Sequence, residues 1–326
     1  MIDRKTFIAG SAAGLLLARG LQAQPAGNPV RIGVLMSTPE PLPIDAGRMD
    51  ILRAALRQLG WVDGRNLVIE GRHAGMNPQR HRELAAELRA LPVALIIANG
   101  TTSIRAARDG APGLPIVMVN AGDPVGAGFA ASLARPGGDL TGTSAAGEEI
   151  LAKQLELLSV AAPQVKRVGV LMNSANPAND FFFDALTSRA KSLGLQVERI
   201  DITSGDELDG AIARAKGGAL LVLGDPIFGR YRERIVALAL REQLPSVYGS
   251  RLFVVAGGLM SYLSADGWHW RSAAGFIDKI LRGAKPADLP VQQPAQFELA
   301  INLKTANALR LTIPQSLLLR ADEVIQ

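Results

Sequence analysis

Short runs of apolar residues that do not alternate with polar ones recur along this chain. Examples are IGVLM (32–36), LIIAN (95–99) and GVLM (169–172). Strands buried on both faces of a parallel sheet have this pattern, whereas a strand of a half-exposed antiparallel sheet would show a polar face. Amphipathic segments separate the runs. The pattern therefore predicts strands alternating with helices, that is, right-handed βαβ units in doubly wound α/β sheets.

The same series of segments occurs twice. Four pairs correspond at offsets between 125 and 136 residues: RIGVLM (31–36) with RVGVLM (167–172), the Leu-Gly dipeptides at 59 and 193, LIIANG with LLVLGD, and LPIVMV with LPSVYG. This spacing is too long for a solenoid repeat, so the repeated unit is a whole domain. We expect two Rossmann-like lobes joined by a hinge, with a ligand site in the cleft where the carboxyl ends of their strands meet.

Glycine and proline residues suggest where the chain passes between the lobes. We expect a first lobe over 28–143, a second over 144–250, and a C-terminal segment, 251–326, shared between them. Pro136-Gly137-Gly138 with Leu140–Gly142 predicts the first crossing, and the glycine pair of FVVAGGLMSYL (253–263), interpreted as a strand, predicts the second. A helix should follow from Gly267 to Leu281, and the tail should return across the hinge.

The first 23 residues have the features of a targeting segment. Arg4 and Lys5 form a basic start, an apolar middle runs from Phe7 to Ala18, and small residues end at Ala23. This predicts export to the periplasm; an amphipathic first helix is the alternative. DRKTFIAG is similar to a twin-arginine leader with one arginine replaced by lysine, which leaves the export route open.

Composition narrows the classes of function. The chain has 326 residues, 48% of them hydrophobic and 20% charged, enough core for two ordinary domains. It has no cysteine, which excludes disulfides, thiolate metal sites, a cysteine nucleophile and a lipid-anchoring cysteine. The net charge is +5, but acidic and basic residues are interspersed, which disfavours a nucleic-acid or membrane surface. We found no catalytic residues, metal site or complete nucleotide motif, so we expect no cofactor and no enzyme.

A candidate anion site follows the strand LIIA. Asn99 and Gly100 lead into Thr101, Thr102 and Ser103, which open a helix. Free N–H groups and hydroxyl donors at a helix start suit a carboxylate or phosphate. An ordinary helix cap is the alternative interpretation.

The second lobe offers a complementary charge. Asp225 stands at a strand end, just before a helix, where it is placed either to hold a ligand ammonium or to cap that helix. Three consecutive phenylalanines, Phe181 to Phe183, cannot all face the core, so one forms either a cleft wall or a lobe contact. We interpret His81 as part of a solvated helix face and His269 as surface or interlobe packing.

The longer motifs resemble a known family. They are GDPVGAGFAASLARPGGDLTG (122–142), Asn173 with Asn176-Pro177, LVLGDPIF (221–228), FVVAGGLMSY (253–262) and ILRGAKPADLPVQQPAQFELAINLKTANALRLTIPQSLLLRADEVI (280–325). The chain resembles the substrate-binding proteins of ABC transporters with the type I periplasmic-binding-protein fold, in the family that includes tryptophan- and phenylalanine-binding members. Ser174 and DGWHW (266–270) depart from the family pattern, so ligand identity does not transfer.

The resemblance implies a role and a set of contacts. The role is capture of a small solute, such as an amino acid or related carboxylate, by a monomer that delivers it to a membrane permease. The implied ligand contacts are Thr101 and Thr102 for a carboxylate, Asp225 for an amine, and Asp123, Asn173 and Tyr248 around them. A sensor that presents its closed form to a membrane receptor is the alternative, and a nucleotide-dependent enzyme is the remote one.

Overall fold

A computed structural model describes residues 28–38, 43–75, 77–176, 178–265 and 267–326, without the side chains of residues 43–45. The predicted targeting segment, residues 1–23, lies outside these ranges. No helix in the described ranges is both long and apolar enough to cross a bilayer.

The first lobe is built on a five-stranded parallel sheet. Its elements, in chain order, are β1 (Val30–Met36), α1 (Pro43–Gln58), β2 (Leu67–His73), α2 (Pro78–Ala90), β3 (Val93–Asn99), α3 (Gly100–Gly110), β4 (Ile116–Ala121) and β5 (Leu140–Ser144). The strand order is β2-β1-β3-β4-β5, with every pair parallel.

The second lobe repeats this plan. It contains α4 (Gly147–Ala161), β6 (Arg167–Asn173), α5 (Asn179–Ser192), β7 (Gln196–Ile202), α6 (Leu208–Ala213), β8 (Ala219–Val222), α7 (Pro226–Arg230), α8 (Arg232–Arg241), β9 (Ser246–Tyr248), α9 (Arg251–Val255) and β10 (Met260–Ser264). Because β6, β7, β8 and β9 hold the positions that β1, β2, β3 and β4 hold in the first lobe, the predicted repeat and the two-lobed α/β fold are confirmed.

The C-terminal segment contributes to both lobes. Helix α10 (Trp268–Leu281) packs on the first lobe, and β11 (Phe297–Asn302), α11 (Leu303–Ala308), α12 (Gln315–Leu318) and β12 (Glu323–Ile325) belong to the second. The second sheet thereby extends to seven strands in the order β12-β11-β10-β9-β8-β6-β7, with β11 antiparallel to β10. The predicted helix from Gly267 to Leu281 is confirmed.

Each sheet is covered on both faces, as unbroken apolar strands require. In the first lobe, α2 and α3 cover one face, and α1 and α10 cover the other, where Leu52 and Trp270 pack on Ile32. In the second lobe, α4, α5 and the tail cover one face, while α6, α8 and α9 cover the other.

Two segment predictions were wrong. Leu140–Gly142 forms the edge strand β5 of the first sheet rather than a crossing, because Gly142 packs directly on β4: a Cβ there would lie 2.1 Å from the Met118 carbonyl oxygen. The run Phe253-Val254-Val255 is helical rather than a strand, because the Ser250 hydroxyl accepts a hydrogen bond from the Leu252 N–H and starts α9. Only the later half of that segment forms a strand, β10.

Hydrogen bonds tie the connections between the lobes together. The first runs from β5 to α4, the second from β10 to α10, and the third enters β11 through residues 292–296. The Ser144 N–H donates to the Gln292 carbonyl oxygen (2.8 Å), and the Gln292 N–H donates to that of Gly142 (2.9 Å). The Ala265 N–H donates to the Gln296 carbonyl oxygen (3.2 Å). The hinge is therefore a connected structure and not separate flexible linkers.

Candidate functional site

The loops at the carboxyl ends of the two sheets contact each other. Gly122 follows β4 of the first lobe, and Ala178 and Phe182 lie at the start of α5 in the second. A Cβ on Gly122 would lie 3.0 Å from the Ala178 Cβ, 3.1 Å from the Phe182 Cζ and 3.0 Å from the Thr101 Oγ1. The two edges predicted to face one cleft are thus adjacent, and Thr101 lies where they meet.

The start of α3 has the features of an anion site. Asn99 occupies the cap position, but its side chain makes no capping hydrogen bond, and the first turn contains no acidic residue. The first-turn N–H groups therefore lack a side-chain cap, and the positive end of the helix dipole is not offset by a local carboxylate. This disfavours the alternative interpretation as an ordinary capped start.

The two predicted threonines differ in their surroundings. Thr101 is buried, and its Oγ1 accepts a hydrogen bond from the Gly122 N–H (3.2 Å), which ties α3 to the loop after β4. Its hydroxyl hydrogen can still be donated. Thr102 is partly exposed.

Asp123 shapes its own loop. Its Oδ1 accepts hydrogen bonds from the Val125 N–H (3.2 Å) and the Gly126 N–H (2.9 Å). This is the Asx-turn arrangement that aspartate favours in loops. The carboxylate is partly exposed and keeps acceptor capacity, so it holds the loop and also lies on the edge of the cleft.

Asp225 and two asparagines form a connected polar cluster at the facing edge. The Asp225 Oδ1 accepts from the Asn173 Nδ2 (3.2 Å) and from the Ile227 N–H (3.1 Å), and its Oδ2 accepts from the Asn176 Nδ2 (3.0 Å). Each asparagine is itself oriented, because its Oδ1 accepts a backbone N–H, from Ala175 or Ala178 respectively. Asp225 therefore caps α7, as one of the two sequence interpretations predicts, and the two asparagines hold its carboxylate in one orientation.

The charge of this cluster is not neutralised within the described chain. All donors to Asp225 are neutral amides, and none of the ion pairs among the described residues includes it. Burial raises the pKa of the Asp225 carboxyl, while the hydrogen bonds from Asn176, Ile227 and Asn173 oppose that rise. A partly buried carboxylate with an acceptor position left on Oδ2 is a site for a ligand cation.

The structure places Tyr248 elsewhere. Its side chain has no exposed surface and stacks on Phe253, with ring centroids 4.7 Å apart, inside the core between the second sheet and α8 and α9. The prediction of Tyr248 as a ligand contact is wrong: its ring belongs to the core, because it lies on the face of β9 that α8 and α9 cover. Asn176 belongs to the polar cluster around Asp225, whereas the sequence analysis named it only as part of a motif.

His81 was also interpreted wrongly. It is 1% exposed rather than solvated, and both ring nitrogens are hydrogen bonded, Nδ1 with the Asn77 carbonyl oxygen (2.8 Å) and Nε2 with the Ser37 Oγ (3.2 Å). The helical period could have shown this, since His81 shares the buried face with Leu84, Ala85 and Leu88.

His269 lies at the hinge. Its Nδ1 is 3.0 Å from the Thr143 Oγ1 and its Nε2 is 3.2 Å from the Ser264 Oγ, so it joins the end of β5 to the end of β10. Of the two environments that the sequence analysis left open, surface or interlobe packing, the structure shows interlobe packing. Of the three phenylalanines, Phe181 is exposed, Phe183 packs on the second-lobe core, and Phe182 makes the lobe contact.

The described part of the site contains no cluster of metal ligands. Among the described residues, no group of three or more histidine, aspartate and glutamate side chains is arranged to hold a metal ion. The facing elements are a helix start that attracts negative charge and a carboxylate that attracts positive charge. This combination suits a small zwitterion.

Comparison with known proteins agrees with this architecture. The family model described as "ABC transporter substrate binding protein" matches residues 33–325. A tyrosine-binding protein from Clostridioides difficile (strain R20291) is 28% identical over 260 residues, which are 78% of this chain and 74% of that protein.

Solved structures share the fold. An ABC domain from Streptococcus pneumonia in complex with L-Trp has a TM-score of 0.81 at 25% identity, covering 91% of this chain and 100% of that one. A conserved domain protein from Vibrio cholerae has a TM-score of 0.84 at 24% identity, covering 90% and 99%. A ligand-free, open substrate-binding protein from Clostridium difficile has a TM-score of 0.67 at 25% identity, covering 91% and 99%.

Proposed function

The chain belongs to the ABC transporter substrate-binding protein family, and we propose that it captures a free amino acid between its lobes and delivers it to a membrane permease. The amino acid is held by its two charged groups. Its carboxylate binds at the start of α3, with Thr101 and Thr102, and its ammonium group binds Asp225. Asn173, Asn176 and Asp123 support these contacts. Capture takes place in the periplasm after removal of residues 1–23.

The observation that carries this proposal is the Asp225 cluster. A carboxylate that is partly buried, raised in pKa and surrounded only by neutral donors is costly unless a cation joins it. Two asparagines hold it in one orientation, so it is prepared for a ligand rather than for an internal ion pair.

The two subsites are connected across the cleft. Asp225 accepts from Asn176, Asn176 accepts from the Ala178 N–H, and Ala178 lies beside Gly122 and Thr101. The groups proposed for the ammonium and the carboxylate therefore lie on neighbouring loops of opposite lobes. Only a closed arrangement can satisfy both ends of one ligand, which couples binding to closure.

The relatives support an amino acid as the solute. One is a tyrosine-binding protein, and another was solved in complex with L-Trp. We propose L-tyrosine, L-tryptophan and L-phenylalanine as the first ligands to test.

A calorimetric titration of the purified protein tests the proposal. Each amino acid is compared with its carboxamide, which lacks the carboxylate, and with its des-amino acid, which lacks the ammonium group. We expect the parent amino acid to bind and both analogues to bind at least tenfold more weakly, since each leaves one buried polar subsite unpaired. Binding of the des-amino acid as tight as that of the parent would contradict the ammonium role of Asp225.

Substitution of Asp225 tests the same site from the protein side. Asp225→Asn keeps the acceptor for the Ile227 N–H but removes the charge, so we expect amino acid affinity to fall roughly ten- to hundredfold. The matched control is Asp206→Asn, a carboxylate of the second lobe that is exposed at the surface. Equal affinity of Asp225→Asn and the wild type would remove Asp225 from the site.

A further inference from the structure

A buried chain of hydrogen bonds lies behind the proposed carboxylate subsite. It runs from the Asn77 carbonyl oxygen to His81 Nδ1 (2.8 Å), from His81 Nε2 to the Ser37 Oγ (3.2 Å), and from there to the Ser103 Oγ (2.9 Å). His81, Ser37 and Ser103 are all buried, and Ser103 has no exposed surface. The roles assigned to Thr101, Thr102 and Asp225 do not use this chain.

The chemistry of the end groups fixes which atom donates and which accepts in each hydrogen bond of the chain. A carbonyl oxygen only accepts, so His81 Nδ1 carries the hydrogen, and in the neutral ring Nε2 is an acceptor. Ser37 must therefore donate its hydroxyl hydrogen to Nε2, and its oxygen accepts the hydrogen of Ser103. The neutral ring is the favoured form, because burial lowers the pKa of His81.

The chain joins three elements that are separate in sequence. Asn77 caps α2, where its side chain accepts from the Gln79 and Arg80 N–H groups. Ser37 directly follows β1, and Ser103 lies in the first turn of α3. The first turn of α3 also carries Thr101 and Thr102. His81 thus fixes the start of α3 relative to the end of β1.

We propose that His81 is a positioning residue for the carboxylate subsite, acting through Ser37 and Ser103 without touching the ligand. This inference rests on the proposed function. Donors at a binding site must be held within about 0.5 Å of the productive geometry, and the supporting groups behind them provide that constraint. The α3 start has no side-chain cap to hold it, so the chain through Ser103 supplies the restraint.

The test compares the wild type with His81→Leu and His81→Gln. The leucine variant abolishes both ring hydrogen bonds, whereas the glutamine amide can still accept the Ser37 hydrogen. Leu84→Ala is the matched control, because it weakens the same buried face of α2 and leaves the hydrogen-bond chain intact. The readout is the ratio of the dissociation constants of L-tyrosine and L-tyrosinamide, which isolates the carboxylate contact.

We expect His81→Leu to weaken L-tyrosine binding about three- to tenfold and L-tyrosinamide binding little, so that the ratio approaches one. His81→Gln should recover part of the ratio, and Leu84→Ala should not change it. Equal weakening of acid and amide in His81→Leu would overturn the inference. The same comparison with L-tryptophan and L-phenylalanine applies if L-tyrosine does not bind.

Amide hydrogen exchange decides the inference even if no amino acid binds, an outcome that would refute the proposed function instead. In the ligand-free protein we expect His81→Leu, but not Leu84→Ala, to accelerate exchange over residues 103–107, the first amides of α3 that have acceptors within the helix. Nitrogen NMR shifts should show hydrogen on Nδ1 of His81 at neutral pH. Unchanged exchange in His81→Leu, or hydrogen on Nε2 in the wild type, would overturn the inference.

Discussion

At the scale of single residues, Asp225 has a consequence for folding as well as for the proposed binding of a ligand. Its pKa is raised in the folded protein because burial penalises the charged form. The folded state therefore holds the proton over a range of pH in which the unfolded chain, with a pKa near 4, has lost it. Stability falls as pH rises through a range in which the folded state binds more protons.

We therefore expect Asp225→Asn to be progressively more stable than the wild type as pH rises from about 4 to the raised pKa. Chemical denaturation at a series of pH values, without ligand, measures the difference. A difference that does not vary with pH would mean that Asp225 titrates normally. A saturating ligand ammonium should reduce the difference, because it stabilises the ionised form.

At the scale of elements, the start of α5 contacts the end of β4 at Gly122. A Cβ at this position would lie between Thr101, Ala178 and Phe182, at 3.0 to 3.1 Å from each. Gly122 does not have a positive φ, so alanine is compatible with its backbone. The cost of a methyl group here is therefore steric. It arises within the first lobe, at Thr101, and between the lobes, at Ala178 and Phe182.

We expect Gly122→Ala to weaken amino acid binding about tenfold and to lower the free energy of unfolding by no more than about 1–3 kcal/mol. Gly71→Ala, in the same lobe with no atom within 4 Å of its new Cβ, is the control. Combining Gly122→Ala with Phe182→Ala should restore part of the affinity, because contacting residues are coupled. Additive losses in the double variant would show that the two residues do not meet during binding.

The sequence predicted elements better than side-chain environments. Apolar runs and their repetition predict the strands, because burial on both faces leaves a pattern that depends only on near neighbours in the chain. Two of the errors involve partners that are distant in the sequence. Leu140–Gly142 was interpreted as a linker, but it pairs with β4. His81 was interpreted as a surface residue, but its ring is hydrogen bonded to Ser37, 44 positions away.

The candidate site likewise contains residues that the sequence pattern could locate and residues that it could not. Thr101, Thr102 and Asp225 stand at strand ends that the α/β pattern locates, so they could be chosen from sequence. Tyr248 stands at a strand end too, but which face its ring takes depends on the α8 and α9 packing that buries it. Asn176 became part of the site only through its distance to Asp225.

At the scale of the whole molecule, His269 links two of the connections between the lobes. Burial, with a smaller contribution from the positive charge of Arg48, lowers its pKa to about 4. A histidine whose pKa is lowered in the folded state stabilises the fold at pH values above its ordinary pKa, near 6.5. This stabilisation is lost as the pH falls towards the lowered pKa of the folded state.

We expect the wild type to lose roughly 3 kcal/mol of stability relative to His269→Gln between pH 6.5 and 4. Glutamine can keep hydrogen bonds to Thr143 and Ser264 but does not titrate. Denaturation midpoints of both proteins across this range provide the measurement, and His73 and His81 contribute equally to each. Parallel pH profiles would show that protonation of His269 leaves the hinge intact.

The position of α10 also bears on the order in which the protein can fold. Trp270, Ala273 and Ile277 complete the core against β1 and β3, yet they follow β6 to β10 of the second lobe along the chain. Synthesis proceeds from the amino end, so an emerging first lobe has one sheet face partly uncovered until α10 is available. A fragment that ends at residue 144 should therefore expose apolar surface and aggregate, and the two lobes should mature together late in synthesis rather than one after the other.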